Sequence, residues 1–424
     1  MKQISISILF FFFFNSFSYS MEYSEIDTGD RIPIKGPIEG YDSASGEYKD
    51  PFVDDAILFK ITSENYSDYE KYLTPGQVRM FRDYGSTFFM NIYPSRRSCA
   101  VPDKVIELSK NGNAKLTDGG EGIEGTVGSI PFPNASEPLH HVWNHILRYR
   151  GVDIEGGSPY YVVSYDGEKF NGAGKAIAKN YWNPFVSNNK GLQGKIMTKV
   201  THPPRLADAG VLVIESLNAL ATPRRAWVYS PATRRVRRAP DIAYDNYSGF
   251  SQGLTTIDSF DGFNGAKDRY NWNDGGTKLK FMPYNSYKFY NTNHEEALTA
   301  LHVNQEYLRY ELVKVNIVNA DLKEGMRHIL PHRVMYFDND SHNFIAEDIY
   351  DGEKNIMRYR ELPIMNFYDE PMCNAIHAAS YDFATKRYLL NNVRSIDVPK
   401  IKWRLDKPHK ESMFTPEGFK RWAK

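Results

Sequence analysis

Three times along its length the chain repeats one device: a strand that ends on an aromatic residue, a short polar turn, and a strand that resumes. These stretches run from Tyr229 to Val236, from Tyr336 to Phe344 and from Tyr381 to Tyr388. Turns of this kind reverse the chain within a few residues, so successive strands pair antiparallel with their neighbours. Tyr160 to Tyr165 runs into Asp166 and Gly167, a further hairpin signal. Val211 to Leu217 and Arg225 to Tyr229 read as strands, and Arg309 to Ala320 alternates so that Val313, Val315 and Ile317 share a face. Aromatic residues make up 14% of the chain, with 29 Tyr and 25 Phe, and such side chains favour strands. The fold class that follows is mainly β, of the α+β type: a large curved antiparallel sheet with one buried face.

A sheet of this kind must cover its apolar face, and two amphipathic helices are the available cover. Thr74, Pro75, Gly76 and Gln77 form a capping-box pattern with Pro at the first helical position, and Gly85 is its expected stop. A second helix is expected from a Ser136 cap, with Leu139, Val142, Trp143, Ile146 and Leu147 on one face and Gly151 as its stop. A few helices lying in the concavity leave room for a cavity. Residues 21–51 read as an extended N-terminal arm, and residues 241–290, rich in Gly, Asn and Asp, as a long irregular insertion.

The first residues bear on location. An apolar run from Ile4 to Tyr19, with five consecutive phenylalanines, follows Lys2. It is short for a membrane span, which takes roughly 20 apolar residues. Ser18, Tyr19 and Ser20 supply the small-x-small pattern read by a signal peptidase. Residues 1–20 are therefore expected to be a cleaved signal peptide, and residues 21–424 one mature domain, periplasmic and without a lipoprotein cysteine at its start. Lys plus Arg equal Asp plus Glu at 52 each, so there is no global field of the kind that marks a nucleic-acid binder. Cys99 and Cys373 are either one disulfide or two buried thiols.

Candidate ligand-binding side chains are Trp143, Tyr161, Trp227 and Tyr229 as apolar lining, with Arg235 and Arg237 as head-group contacts. Six arginines, Arg224, Arg225, Arg234, Arg235, Arg237 and Arg238, gather around one hairpin. On a strand Arg235 and Arg237 share one face, while Arg238 shares the other with Val236. A guanidinium suits phosphate or carboxylate; the plainer reading is a solvated hairpin edge. Gly120 to Gly125 fits G-x-G-x-x-G, but the prolines that follow exclude the helix a dinucleotide site needs, so a tight chain reversal is expected. His141 and His145 stand four apart on a predicted helix without an acidic or cysteine partner, and no metal or cofactor is expected. No serine elbow occurs and Cys99 lacks a nucleophile signature, so no catalytic residue is assigned.

Longer strings carry a resemblance. Leu73 to Gln77, Tyr93 to Arg97, Gly119 to Gly125 with Ile130 to Pro133, Trp143 to Gly151, Arg234 to Asp241, Asp261 to Trp272, Pro283 to Asn285 and Arg309 to Glu311 resemble the bacterial DUF1329 family over essentially the whole mature length. That resemblance implies a distant likeness to the LolA/LolB-like lipoprotein carriers, half-barrel sheets closed by helices around an acyl-chain cavity. It also implies association with an exporter of the resistance-nodulation-division (RND) type and an outer-membrane partner, and offers no catalytic residues. The expected function is a periplasmic, non-enzymatic carrier or accessory protein for a lipid or other hydrophobic molecule. The alternatives are a structural adaptor between envelope proteins and a lipid or ester hydrolase.

Overall fold

The computed structural model describes residues 30–42, 47–125, 128–186, 188–239, 244–393, 402–404 and 408–424. The expected signal peptide, residues 1–20, lies outside the described residues, as does the start of the arm. The strands are, in order, β1 (Phe59–Ile61), β2 (Met90–Ile92), β3 (Lys115–Thr117), β4 (Gly122–Glu124), β5 (Asp153–Val163), β6 (Lys169–Asn180), β7 (Leu192–His202), β8 (Gly210–Ser216), β9 (Arg225–Ser230) and β10 (Arg235–Arg238). They continue as β11 (Tyr270–Pro283), β12 (Tyr310–Leu322), β13 (His332–Asp338), β14 (Phe344–Tyr350), β15 (Ile356–Glu361), β16 (Ile364–Phe367), β17 (Met372–Ala375), β18 (Ala378–Asp382), β19 (Arg387–Asn391) and β20 (Lys402–Arg404). The helices are α1 (Pro75–Tyr84), α2 (Asp103–Lys110), α3 (Pro138–Leu147), α4 (Tyr287–Asn291), α5 (His294–Ala297) and α6 (Pro416–Ala423).

Sixteen strands form one open sheet, in the order β1-β2-β12-β13-β14-β15-β18-β19-β5-β6-β7-β8-β9-β10, with β11 on β12 and β20 on β5. All pairings are antiparallel except the short one between β2 and β12. The hairpins read from sequence join β9 to β10, β13 to β14 and β18 to β19. The protein is thus mostly β, with few helices and a sheet not closed into a barrel.

Residues 241–290 are not an irregular insertion throughout. Tyr270–Pro283 is the longest strand, 14 residues, and pairs with β12 along its length. Asp274, Gly275 and Gly276, turn-like in composition, form a β-bulge inside the strand, where Gly276 takes φ 77°. A second correction concerns α3: it begins at Pro138 with Glu137 at its N-cap, and it ends before Arg148 rather than at Gly151. The expected Ser136 cap lies a residue too early, because Pro138 at N1 sets where the helix starts. The capping box of α1 is complete, with Thr74 accepting from the Gln77 amide and the Gln77 side chain accepting from the Thr74 amide.

The central strands bury side chains on both faces, not on one. Val315 and Val318, three apart on β12 and so on opposite faces, are both fully buried. The front face packs against α1 and the segment through α4 and α5, around Phe81, Phe281, Tyr287 and Tyr381. The back face packs against α3, where Trp143 and Ile146 meet Val318, Met335 and Phe344. Farther along the front face, α6 sets Phe419 against Ile177, Met197 and Leu212. The helices are therefore divided between the two faces. Cys99 and Cys373 are joined by a disulfide with Cα atoms 5.3 Å apart.

Candidate functional site

Among the described residues no helix lies on the back face of β5 to β9. Across β5 to β9 the register sets Ile154, Ala178, Ile196, Val213 and Ala226 in one row. The next row runs Gly156, Ala176, Thr198, Val211, Val228 and ends at Arg237 on β10. Ile154, Ala176, Ala178, Ile196, Val211, Val213 and Val228 are all partly exposed, and none belongs to or packs on a hydrophobic cluster of the core. These positions are Gly, Ala, Thr or β-branched, so the floor is low and smooth. At its side the Tyr160 ring lies across Gly172, where any Cβ would meet the ring at 2.2 Å. The exposed Phe250 stands beside Tyr160, with ring centroids 5.3 Å apart. At one end Arg224, bound to Glu215 and lying 4.1 Å above the Tyr244 ring, closes the floor.

Chain alternation makes the front of the same strands different. The row Ile177, Met197, Leu212, Trp227 and Arg238 faces α6. Lys195 pairs with Glu411, and Lys199 donates to the Trp422 carbonyl at the end of α6.

The six candidate ligand residues do not converge on a common cavity. Trp143 is buried behind the sheet, where its Nε1 donates to the Gly120 carbonyl at 2.9 Å and the Lys267 ammonium lies 4.3 Å from its ring. Tyr161 is on the front face, stacked on His294 with ring centroids 5.0 Å apart. Trp227 and Tyr229 also face front, under α6, with Tyr229 edge-on to Phe419. Arg235 and Arg237 are exposed and pair with Ser230 and Val228, so they point to the back. A strand's period of two puts the expected lining and the expected head-group contacts on opposite sides. The floor has a sequence signal of its own, the alternating small residues Gly172, Gly174, Ala176 and Ala178 on one face of β6.

The titratable groups of the interior are taken up by structure. Arg333 donates to Asp258 at 2.6 Å and to Glu347 at 2.5 Å, and Arg360 donates to Glu347 at 2.8 Å, tying the loop at Ile257–Ser259 to the sheet. The Arg333 guanidinium, with His328 and the Thr256 hydroxyl, overcomes burial and holds the Asp258 carboxyl well below its usual range. His145 accepts from the Phe344 amide through Nδ1 at 2.9 Å, and its Nε2 lies 2.6 Å from the Asp261 carbonyl. With burial pushing it down to about 3 it stays neutral, and neither ring nitrogen is open to a metal. Gly120 ends no phosphate loop: a Cβ there would meet Leu139 of α3 at 2.2 Å, so the glycine lets the helix approach. Ser95, Arg97, Glu311, Asp338 and Asp340, with Leu312 and Val313, line a small cleft of about 160 Å³ whose charged groups do not suit an acyl chain.

No helix among the described residues is long and apolar enough to cross a membrane. Comparison with solved structures finds a DUF1329 family protein from Desulfovibrio piger, 13% identical, TM-score 0.43, covering 63% of this chain and 92% of that one. A LolA superfamily protein from Nitrosomonas europaea is 9% identical with TM-score 0.38, covering 66% of this chain and 98% of that one. An uncharacterized Pseudomonas aeruginosa protein is 36% identical over 391 residues, 89% of this chain and 84% of the relative. The pattern of the protein family of unknown function DUF1329 matches residues 60–420. On that match and that relative, the chain belongs to the DUF1329 family.

Proposed function

We propose that this protein is a non-enzymatic periplasmic carrier that holds a hydrophobic molecule against the uncovered back face of β5 to β9. The observation that carries the reading is the two-row apolar floor, partly exposed except at Ala226 and outside every hydrophobic cluster formed among the described residues. Burial of such a surface in a folded protein is the rule, and a large contiguous exposed apolar area marks a binding site. Five strands at about 4.8 Å spacing span roughly 20 Å, the length of a long acyl chain. Each methylene removed from water contributes about 0.8 kcal/mol, so an acyl chain needs no special polar anchor to bind. A disulfide joining Cys99 to Cys373 suits an oxidising compartment, as does the leader expected at residues 1–20. The family resemblance adds the expectation of an RND-type exporter and an outer-membrane protein as the partners between which cargo passes.

The test uses the neutral fluorescent probe N-phenyl-1-naphthylamine and native mass spectrometry of the protein purified from periplasm. Ala176→Glu and Thr198→Glu place a charge on the floor and should weaken probe binding at least about ten-fold, since a charge in an apolar contact costs more than 1.4 kcal/mol. Lys175→Glu, on the front face, should leave it unchanged. Full binding by both floor variants, or an empty protein that takes up no probe, sinks the proposal.

A further inference from the structure

We propose that the β9–β10 hairpin and the exposed side of α6 dock the protein on an anionic lipid bilayer. From Ser216 to Ala239 the chain carries six arginines and no acidic residue. Arg224 is neutralised by Glu215. Arg225, Arg234, Arg235, Arg237 and Arg238 are exposed, and none of their side chains has an ion pair or hydrogen bond among the described residues. The loop that carries the exposed Arg205 and Leu206 lies next to the hairpin tip, because Gly210 pairs with Tyr229. Helix α6, packed on β9 through Phe419, adds exposed Lys420, Arg421 and Lys424. All this positive charge stands at one rim of a chain whose formal net charge is zero.

Three features favour a bilayer over an acidic protein. The cations occur on both sides of β10, at the hairpin tip and on α6, so they ring an edge and do not converge on a groove. A peptide or helix would need convergence, whereas a plane of phosphates meets a rim. Trp227 and Trp422, both partly exposed, lie among these cations, and tryptophan suits a boundary that is apolar on one side and wet on the other. Finally, the floor row Thr198, Val211 and Val228 ends at Arg237. Edge-on docking would set the open end of the apolar floor at the head groups, which is what cargo exchange requires. The purpose of docking rests on the carrier reading; the docking itself does not.

The experiment is cosedimentation of the mature chain with phosphatidylcholine vesicles, with and without phosphatidylglycerol, at low and high salt. The expected result is binding that needs phosphatidylglycerol and is lost at high salt. Arg234→Gln, Arg235→Gln, Arg237→Gln and Arg238→Gln together should reduce it at least about 100-fold, from several-fold per cation at an anionic surface. The same number of exposed lysines changed elsewhere, Lys110→Gln, Lys115→Gln, Lys354→Gln and Lys386→Gln, should leave binding near wild type. Equal binding to neutral vesicles, no binding to either, or an undiminished arginine variant overturns the proposal. Arginine-dependent binding to soluble polyglutamate but not to phosphatidylglycerol vesicles overturns it in favour of an acidic protein. The neutral probe separates the two proposals: a variant confined to cations off the floor, Arg234→Gln, Arg238→Gln, Lys420→Gln and Arg421→Gln, should lose vesicle binding and still bind the probe, and a protein that binds vesicles but no probe keeps its docking surface and loses its cargo site.

Discussion

Glu361 receives the hydroxyls of Tyr310, Tyr359 and Tyr381 at 3.2, 3.3 and 3.1 Å, in the core of the front face. Burial outweighs these bonds and pushes its carboxyl up to about 7. An unfolded Glu loses its proton near 4.3. Between about 4 and 7 the folded chain therefore holds a proton that the unfolded chain has released, so this group's stabilisation is full below about 4 and is lost as pH rises through 7. Glu361→Gln removes that titration. Urea unfolding should show wild-type stability declining from about pH 4 to about pH 7, with the decline smaller in the variant. Asp348, also pushed up to about 7 by burial, keeps the remaining slope. A steeper or unchanged decline in the variant would contradict this assignment. Arg333 gives the opposite case, a buried cation serving two acids. Arg333→Met leaves Asp258 without its guanidinium partner and Glu347 with Arg360 alone, and should cost about 3–5 kcal/mol in the same assay, because undercompensated charge stays buried.

At the scale of elements, α1 is set by its own first four residues and then locked by a distant one. Asp348 of β14 accepts the Gly76 amide at 2.8 Å, beside the capping box. Thr74→Ala should cost about 1 kcal/mol, and Thr74→Ser should recover most of it, which equilibrium denaturation can read directly. The cap, the hairpins and β12 were all legible in the sequence, because each is a local arrangement of turn chemistry and strand period. Strand β11 was not. Its Asp274, Gly275 and Gly276 carry the composition of a turn, and only pairing with β12 on both sides of the bulge makes that stretch a strand. The start of α3 differs for a smaller reason: Ser136 is a good cap by type, but Pro138 at N1 puts Glu137 at the cap position.

Across the whole molecule, the Cys99–Cys373 bond closes a loop of 274 residues, linking the segment after β2 to β17. A long closed loop removes much freedom from the unfolded chain, so Cys99→Ser with Cys373→Ser should lower stability by up to about 5 kcal/mol. Comparing urea midpoints of oxidised wild type, reduced wild type and the double variant checks this; three equal midpoints would count against any stabilising role. What the sequence by itself determined is local: where strands turn, where helices are capped, which residues alternate, and that six arginines crowd one hairpin. What tertiary structure alone decided is which side of each strand is covered. Alternation defines two faces but does not say which distant segment will lie on either. Arg224 and Arg225 are neighbours of one type, yet Glu215 draws the first inward and leaves the second in solvent. For the same reason Trp227 and Tyr229 lie beneath α6, while the plainer residues Ala176, Thr198 and Val211 form the open floor.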